Sequence, residues 1–276
     1  YSLCSNTTGR DNVAIGYIAL RDNTCGNSNV GIGYRALRLN TTGCENTAIG
    51  NQALDNNTIG VHNTAIGSDA LYGNTTGGRN VAVGYCSLYS NTIGQYNTAV
   101  GWAALKANTT GGRNVAIGHT ALNANTTGWL NNAVGFGTLS TNIIGSCNDA
   151  FGYGALKKNL CNNSTAIGYN ALCNQTTGHG NVAIGSRSGL TITTGCNNVI
   201  VGYNANASSA TATNEITLGS ISHTSFRLPG LQASATHGQV LAFDSDGGDI
   251  AFTTVAAGGG LDSAAVLSLT KINVPD

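Results

Sequence analysis

The glycine of a recurring Asn-x-Ala-Ile-Gly pattern returns at a fixed interval, and that interval decides most of what the chain can fold into. It falls at Gly16, Gly33, Gly50, Gly67, Gly84, Gly101, Gly118, Gly135, Gly152, Gly168, Gly185 and Gly202. Every step is 17 residues except Gly152 to Gly168, which is 16, so the chain holds twelve repeats. Asn6-Thr7-Thr8-Gly9 supplies the later half of a unit ahead of the first. Seventeen residues are too few for a helical-hairpin repeat, which needs about 33 or more. Each unit instead carries two short β-like segments, V-A-I and Y-x-A-L, separated by Asn, Thr and Gly turn residues. No segment has the periodicity of a useful amphipathic helix. The expected fold is all-β: a parallel β-solenoid, or β-roll, of about twelve 17-residue coils with a small β-rich C-terminal region. Equivalent slots then stack about 4.8 Å apart.

Relative to the anchor glycine, the consensus assigns a role to each column. Asn stands four places before it, at Asn12, Asn29, Asn46, Asn63, Asn80, Asn97, Asn114, Asn131, Asn148, Asn181 and Asn198, and Ser164 alone breaks the column. Identical amides stacked at strand spacing form a hydrogen-bonded ladder. A second glycine column runs from Gly26 to Gly195, and both glycine columns suit positive φ or close backbone approach. The Ile/Val column one place before the anchor and the Leu column four places after it are expected to fill a dry interior. The Ala column between Asn and Ile is expected to face outward against another chain.

Composition narrows the function. Only 9% of residues are charged, against roughly 25% in an ordinary soluble protein. Twelve Lys+Arg balance twelve Asp+Glu, which speaks against a nucleic-acid partner. No apolar run reaches the roughly 20 residues of a membrane helix. The chain opens at Tyr1 without a charged-then-apolar leader, and reads as a piece processed or excised from a longer protein. No G-x-G-x-x-G, G-K-[ST] or G-x-S-x-G occurs, and Glu45 and Glu215 are the only glutamates, so no enzyme activity and no cofactor are expected. His62, His119, His179, His223 and His237 lack metal-ligand spacing. Asp244, Asp246 and Asp249 make half a calcium loop without its terminal Glu and fit a hairpin turn instead, so no metal is expected.

The sequence leaves several further readings open. Tyr17, Tyr34, Tyr85, Trp102, Phe136, Tyr153, Tyr169 and Tyr203 follow the anchor as a column that covers the coil, packs against a neighbouring chain or stacks on sugars. Eight cysteines are scattered over several slots, and Cys25 with Cys44, or Cys147 with Cys161, lie in adjacent coils as candidate disulfides. Sequons at Asn40, Asn74, Asn108 and Asn125 are candidate glycosylation sites. A row of threonines from Thr24 to Thr126 opens an ice-binding reading.

The run N-T-A-I-G-x-x-A-L-x-x-N-T-T-G resembles the repeats in tail-fibre proteins of bacteriophages and large viruses. It is also similar to the S-V-A-I-G coils of trimeric autotransporter adhesin heads, which have a longer loop. The resemblance covers residues 6 to about 205 and extends to Asn214–Gly219 and Thr224–Leu231. It implies an attachment fibre on a virion or cell surface, a homotrimer, and polyvalent contact with a host-surface glycan or protein. An extracellular filament polymerising end to end is the first alternative, and an ice-binding surface the second. The expected organisation is a solenoid over 1–205, a connector over 206–231 and a C-terminal region over 232–276. That last region holds a hairpin of strands Gln239–Phe243 and Asp249–Val255, and a tail strand Ser263–Val274.

Overall fold

The computed structural model describes residues 1–222, 239–243 and 250–254. Thirteen three-residue strands follow one another: β1 Val13–Ile15, β2 Val30–Ile32, β3 Thr47–Ile49, β4 Thr64–Ile66, β5 Val81–Val83, β6 Thr98–Val100, β7 Val115–Ile117, β8 Asn132–Val134, β9 Asp149–Phe151, β10 Thr165–Ile167, β11 Val182–Ile184, β12 Val199–Val201 and β13 Ile216–Leu218. They form one parallel sheet in sequence order, each paired slot for slot with the next, as in Ala99↔Ala116. The chain is therefore a β-solenoid with one repeat per coil. Twelve steps of about 4.8 Å give a stack roughly 58 Å long. Among the described residues no helix is long and apolar enough to cross a membrane.

The coils run past residue 205. Strand β13 pairs in register with β12, so part of the stretch expected as a connector completes a thirteenth coil. The chain divides into compact units Tyr1–Ser222 and His223–Asp276. Within the second unit, β14 Gln239–Phe243 and β15 Ile250–Thr254 pair antiparallel. The aspartate turn between them, Thr224–Leu231 and the tail strand Ser263–Val274 lie outside the described residues.

The interior corrects the expected sidedness. The Ala column of the strands is buried, with Ala48, Ala65, Ala82, Ala99 and Ala116 at 0% exposure, while the neighbouring Ile49, Ile66 and Ile117 are 37–40% exposed. A three-residue strand offers one inward side chain, and alternation then turns both its neighbours outward. The inward slot faces the Leu column, Leu20 to Leu172, and a second Ala column led by Ala19 and Ala36, all at 0% exposure. The cross-section leaves room for a methyl opposite each Leu. One exception supports this volume rule. Where Leu is replaced by Gly189, the next coil carries Ile200 in the Ala slot, and a Cβ at Gly189 would lie 3.3 Å from Ile200 Cδ1.

Tight corners need left-handed residues. The anchor glycines sit near φ +130°, and a Cβ on Gly101 would meet the Gly118 carbonyl oxygen at 2.5 Å. The second glycine column has no positive φ but abuts the next coil, so a Cβ on Gly94 would strike the Gly111 carbonyl oxygen and Asn91 Oδ1. Three further slots adopt positive φ with other residues, as at Tyr96 (60°), Ala103 (53°) and Leu105 (52°). Each such residue costs roughly 1–2 kcal/mol, which the inter-coil hydrogen bonds and the buried Leu column offset.

Candidate functional site

The asparagines expected as a ladder are joined through the stack. Asn97 is typical. Its Nδ2 donates to Asn80 Oδ1 (3.2 Å) and to the Gly111 carbonyl (2.9 Å). Its Oδ1 accepts from both the backbone N–H and Nδ2 of Asn114, each at 3.1 Å. The same bonds link Asn12 and Asn29, then Asn46, Asn63, Asn80, Asn114, Asn131 and Asn148, and they join Asn181 to Asn198. At the 16-residue step Ser164 Oγ accepts from Asn181 only its backbone N–H, at 3.4 Å, and Gln175 in the same coil restores the side-chain link. Gln175 Nε2 donates to Ser164 Oγ (2.9 Å), and its Oε1 accepts from Asn181 Nδ2 (2.8 Å). At the C-terminal end the Glu215 N–H donates to Asn198 Oδ1.

A second ladder escaped the sequence reading. Asn6, Asn23, Asn40, Asn57, Asn74, Asn91, Asn108, Asn125 and Asn142 pass Nδ2–H···Oδ1 bonds from coil to coil. This overturns the glycosylation reading. Asn40, Asn74, Asn108 and Asn125 are fully buried, and each Nδ2 is engaged by the preceding Asn and a Gly carbonyl. The folded stack leaves no room for a glycan on that nitrogen. The ladder breaks after Asn142, whose Oδ1 is buried without a partner. The shortened turn that follows presents the Cys161 carbonyl in place of a glycine's, and it accepts from Asn148 and Asn159.

The cysteine pairs are not bridged. Cys25, Cys44, Cys147 and Cys161 are free thiols, as are Cys4, Cys86, Cys173 and Cys196. Cys44 Sγ instead accepts from the Asn27 backbone N–H at 3.3 Å. The threonine row is also committed to the stack: Thr24 Oγ1 donates to the Thr41 carbonyl, and Thr41, Thr58, Thr75, Thr92 and Thr109 repeat the bond one coil on. Its hydroxyls are not a free polar array. Among the described residues no three His, Cys, Asp or Glu side chains gather where a metal ion could bind.

What remains at the surface is apolar and ordered. Tyr85, Trp102, His119, Phe136, Tyr153 and Tyr169 form a continuous ring column with centroid separations of 4.6–6.3 Å and interplanar angles of 5–21°. Tyr17 and Tyr34 stack at 5.8 Å in the same slot, and Asn51 and Ser68 interrupt the column between them and Tyr85. Trp102, Phe136 and Tyr153 stay about half exposed (48–51%). Two residues before the ring slot, the outward column contributes Ile117, Phe151, Ile167 and Ile184 at 40–41% exposure. Contiguous exposed apolar surface of this extent is uncommon on a monomeric soluble protein. Charged groups are few, and one cluster of them is paired away from these columns: buried Asp55 accepts from Arg35 and Arg38, each at 2.7 Å. Comparison of the chain with protein-family models, with curated proteins and with solved structures finds no match in any of the three.

Proposed function

We propose that the chain is the shaft or head of an attachment fibre on a virion or cell surface. It assembles as a homotrimer and binds a host-surface glycan or protein through repeated contacts. The observation that carries this reading is the exposed aromatic and aliphatic pair of columns, ordered over many coils on a stack with little charge. Three copies about one axis bury such columns against each other, which a single coil stack leaves in water. The part first assigned to the Ala column passes to the Ile/Val and aromatic columns. Sedimentation at micromolar concentration tests the assembly. Three chains of 27.9 kDa make a particle of about 84 kDa, and a stable 27.9 kDa species refutes it. Retention of the labelled chain on intact cells tests attachment, and absence of retention on every cell type tried refutes that part.

The open filament is the second reading. Among the described residues, strands β1 and β13 each pair on one side only, so each leaves one backbone edge without a strand partner. A ladder of masses rising with concentration, in place of one species, favours the filament.

A further inference from the structure

We propose that Arg113, Tyr96 and Trp129, with Arg79 behind them, form a binding site for a carboxylated sugar, a uronic or sialic acid residue. The proposal rests on the attachment reading for where such a sugar is met, and on its own geometry for what is bound.

Three consecutive coils place Arg79, Tyr96 and Arg113 in one slot, five places before the anchor glycine. All three adopt left-handed backbone (φ 60°, 60° and 57°), and each backbone N–H is held by the carbonyl of the preceding coil, at Val61, Gly78 and Gln95. The side chains therefore project from a fixed scaffold. The two guanidinium carbons lie 5.4 and 5.9 Å from the Tyr96 ring centroid. Cation–π contact pre-orients both forks at low entropic cost.

Beside them is a recess of about 380 Å³ lined by Ile93, Gln95, Tyr96, Thr110, Arg113 and Trp129. Its outer wall exists because Gly112 has no side chain. A Cβ there would lie 2.8 Å from Trp129 Cζ3, so the indole rests on bare backbone. Tyr96 and Trp129 remain 47% and 43% exposed.

The electrostatics favour an anion. No Asp or Glu occurs between Asp69 and Asp149, while Arg79, Lys106 and Arg113 do. Neither Arg79 nor Arg113 forms an ion pair among the described residues, whereas Arg21, Arg35 and Arg38 do so with aspartates. An arginine fork matches a carboxylate bidentately. The aromatic walls and Ile93 suit the C–H face of a pyranose. Gln95 and Thr110 offer an amide and a hydroxyl to its ring substituents. Three cations over so long a stretch are too few for a polyanion backbone, which sets nucleic acid aside.

The test titrates the full chain with a sialylated trisaccharide, a hyaluronan tetrasaccharide, neutral lactose and a single-stranded oligonucleotide, read by calorimetry and by indole fluorescence. At least one acidic saccharide binds, and lactose binds at least about tenfold more weakly. Arg113→Gln and Trp129→Ala each raise Kd by at least about tenfold, and Lys158→Ala, far along the stack, leaves it unchanged. Equal binding of lactose, no binding of either acidic probe, or indifference to both variants overturns the site. Oligonucleotide binding that survives Trp129→Ala overturns it as well, since charge alone is then responsible. A chain that adheres to cells but ignores acidic sugars loses this site and keeps the attachment reading. A chain that binds acidic sugars through Arg113 but adheres to no cell does the reverse.

Discussion

Replacing Asn97 by Ala removes four hydrogen bonds, and their consequences are unequal. Asn80 Oδ1 keeps the Asn97 backbone N–H at 3.0 Å, and the Gly111 carbonyl keeps Asn108 Nδ2 at 2.9 Å. Asn114 Nδ2 keeps the Gly128 carbonyl. The Asn114 backbone N–H loses its acceptor and is stranded in the interior, since Asn114 is fully buried. A stranded donor costs about 1–3 kcal/mol, and the three partly compensated bonds about 1 kcal/mol or less each. The expected loss is about 4 kcal/mol. Thr127→Ala is the reference, because that side chain is exposed and makes no hydrogen bond. Asn97→Asp keeps the acceptor for Asn114 but turns a carboxylate on the Gly111 carbonyl, so it destabilises at neutral pH and recovers in acid. Urea titration by circular dichroism reads the midpoints. Solenoids lose coils locally, so amide exchange at Asn114 and Val115 is followed in parallel. Coincident midpoints and equal exchange for Asn97→Ala and Thr127→Ala would show that the ladder does not hold the stack.

Gly101→Ala places a methyl against the Gly118 carbonyl at φ +136°, and the chain is expected to lose at least about 3 kcal/mol or fail to fold, checked by the same titration. Thr120 is β-branched at φ 54° in a slot where Asn170 and Asn204 also stand, so Thr120→Asn stabilises the stack by up to about 1 kcal/mol, read as a higher urea midpoint. Burial disfavours the Glu215 carboxylate, but hydrogen bonds from Ser208 and Thr217 outweigh it and hold its pKa below the ordinary range. The folded pKa is the lower one, so this stabilisation is present above the unfolded value and is lost as pH falls through the folded value. Protection of the thirteenth coil, taken as exchange relative to the intrinsic rate at each pH, should then fall in acid, and Glu215→Gln should flatten that dependence. Alkylation without reductant should label exposed Cys4, Cys25 and Cys147 first, with buried Cys86 slow and Cys173 slowed by burial that pushes its thiol up. A mass showing bridged cysteines refutes the free-thiol arrangement.

The fold was legible because a 17-residue period leaves few architectures, and the V-A-I segments fall where the strands are. The sidedness was not, and the reason is volume. Hydrophobicity favours Ile over Ala for an interior, but the outward slot tolerates Ile, Val, Phe151 and Leu218, while the inward slot stays small except at Ile200, where Gly189 has vacated the Leu position. Constancy of size marks a packed position better than apolarity does. The sequons misled in a similar way. Asn57, Asn91 and Asn142 occupy the same column without a sequon, so the column, not the tripeptide, carried the meaning. The pocket at Tyr96 escaped because it depends on Gly112 being empty beneath Trp129, which no single repeat reveals.

The amide ladders also give the stack a direction. In both, the NH₂ of a later coil points to the oxygen of the earlier one, from Asn29 to Asn12 and from Asn23 to Asn6. The side-chain dipoles therefore add along the axis, and such chains polarise one another. A stack cut between coils presents amide donors on the newly exposed face of its C-terminal piece and acceptors on that of its N-terminal piece. Two such pieces rejoin head to tail and never head to head. Trimming coils from opposite ends is thus not equivalent. One end is left with a lone acceptor that needs an N–H, the role Glu215 fills, and the other with a donor that water or an incoming carbonyl can satisfy.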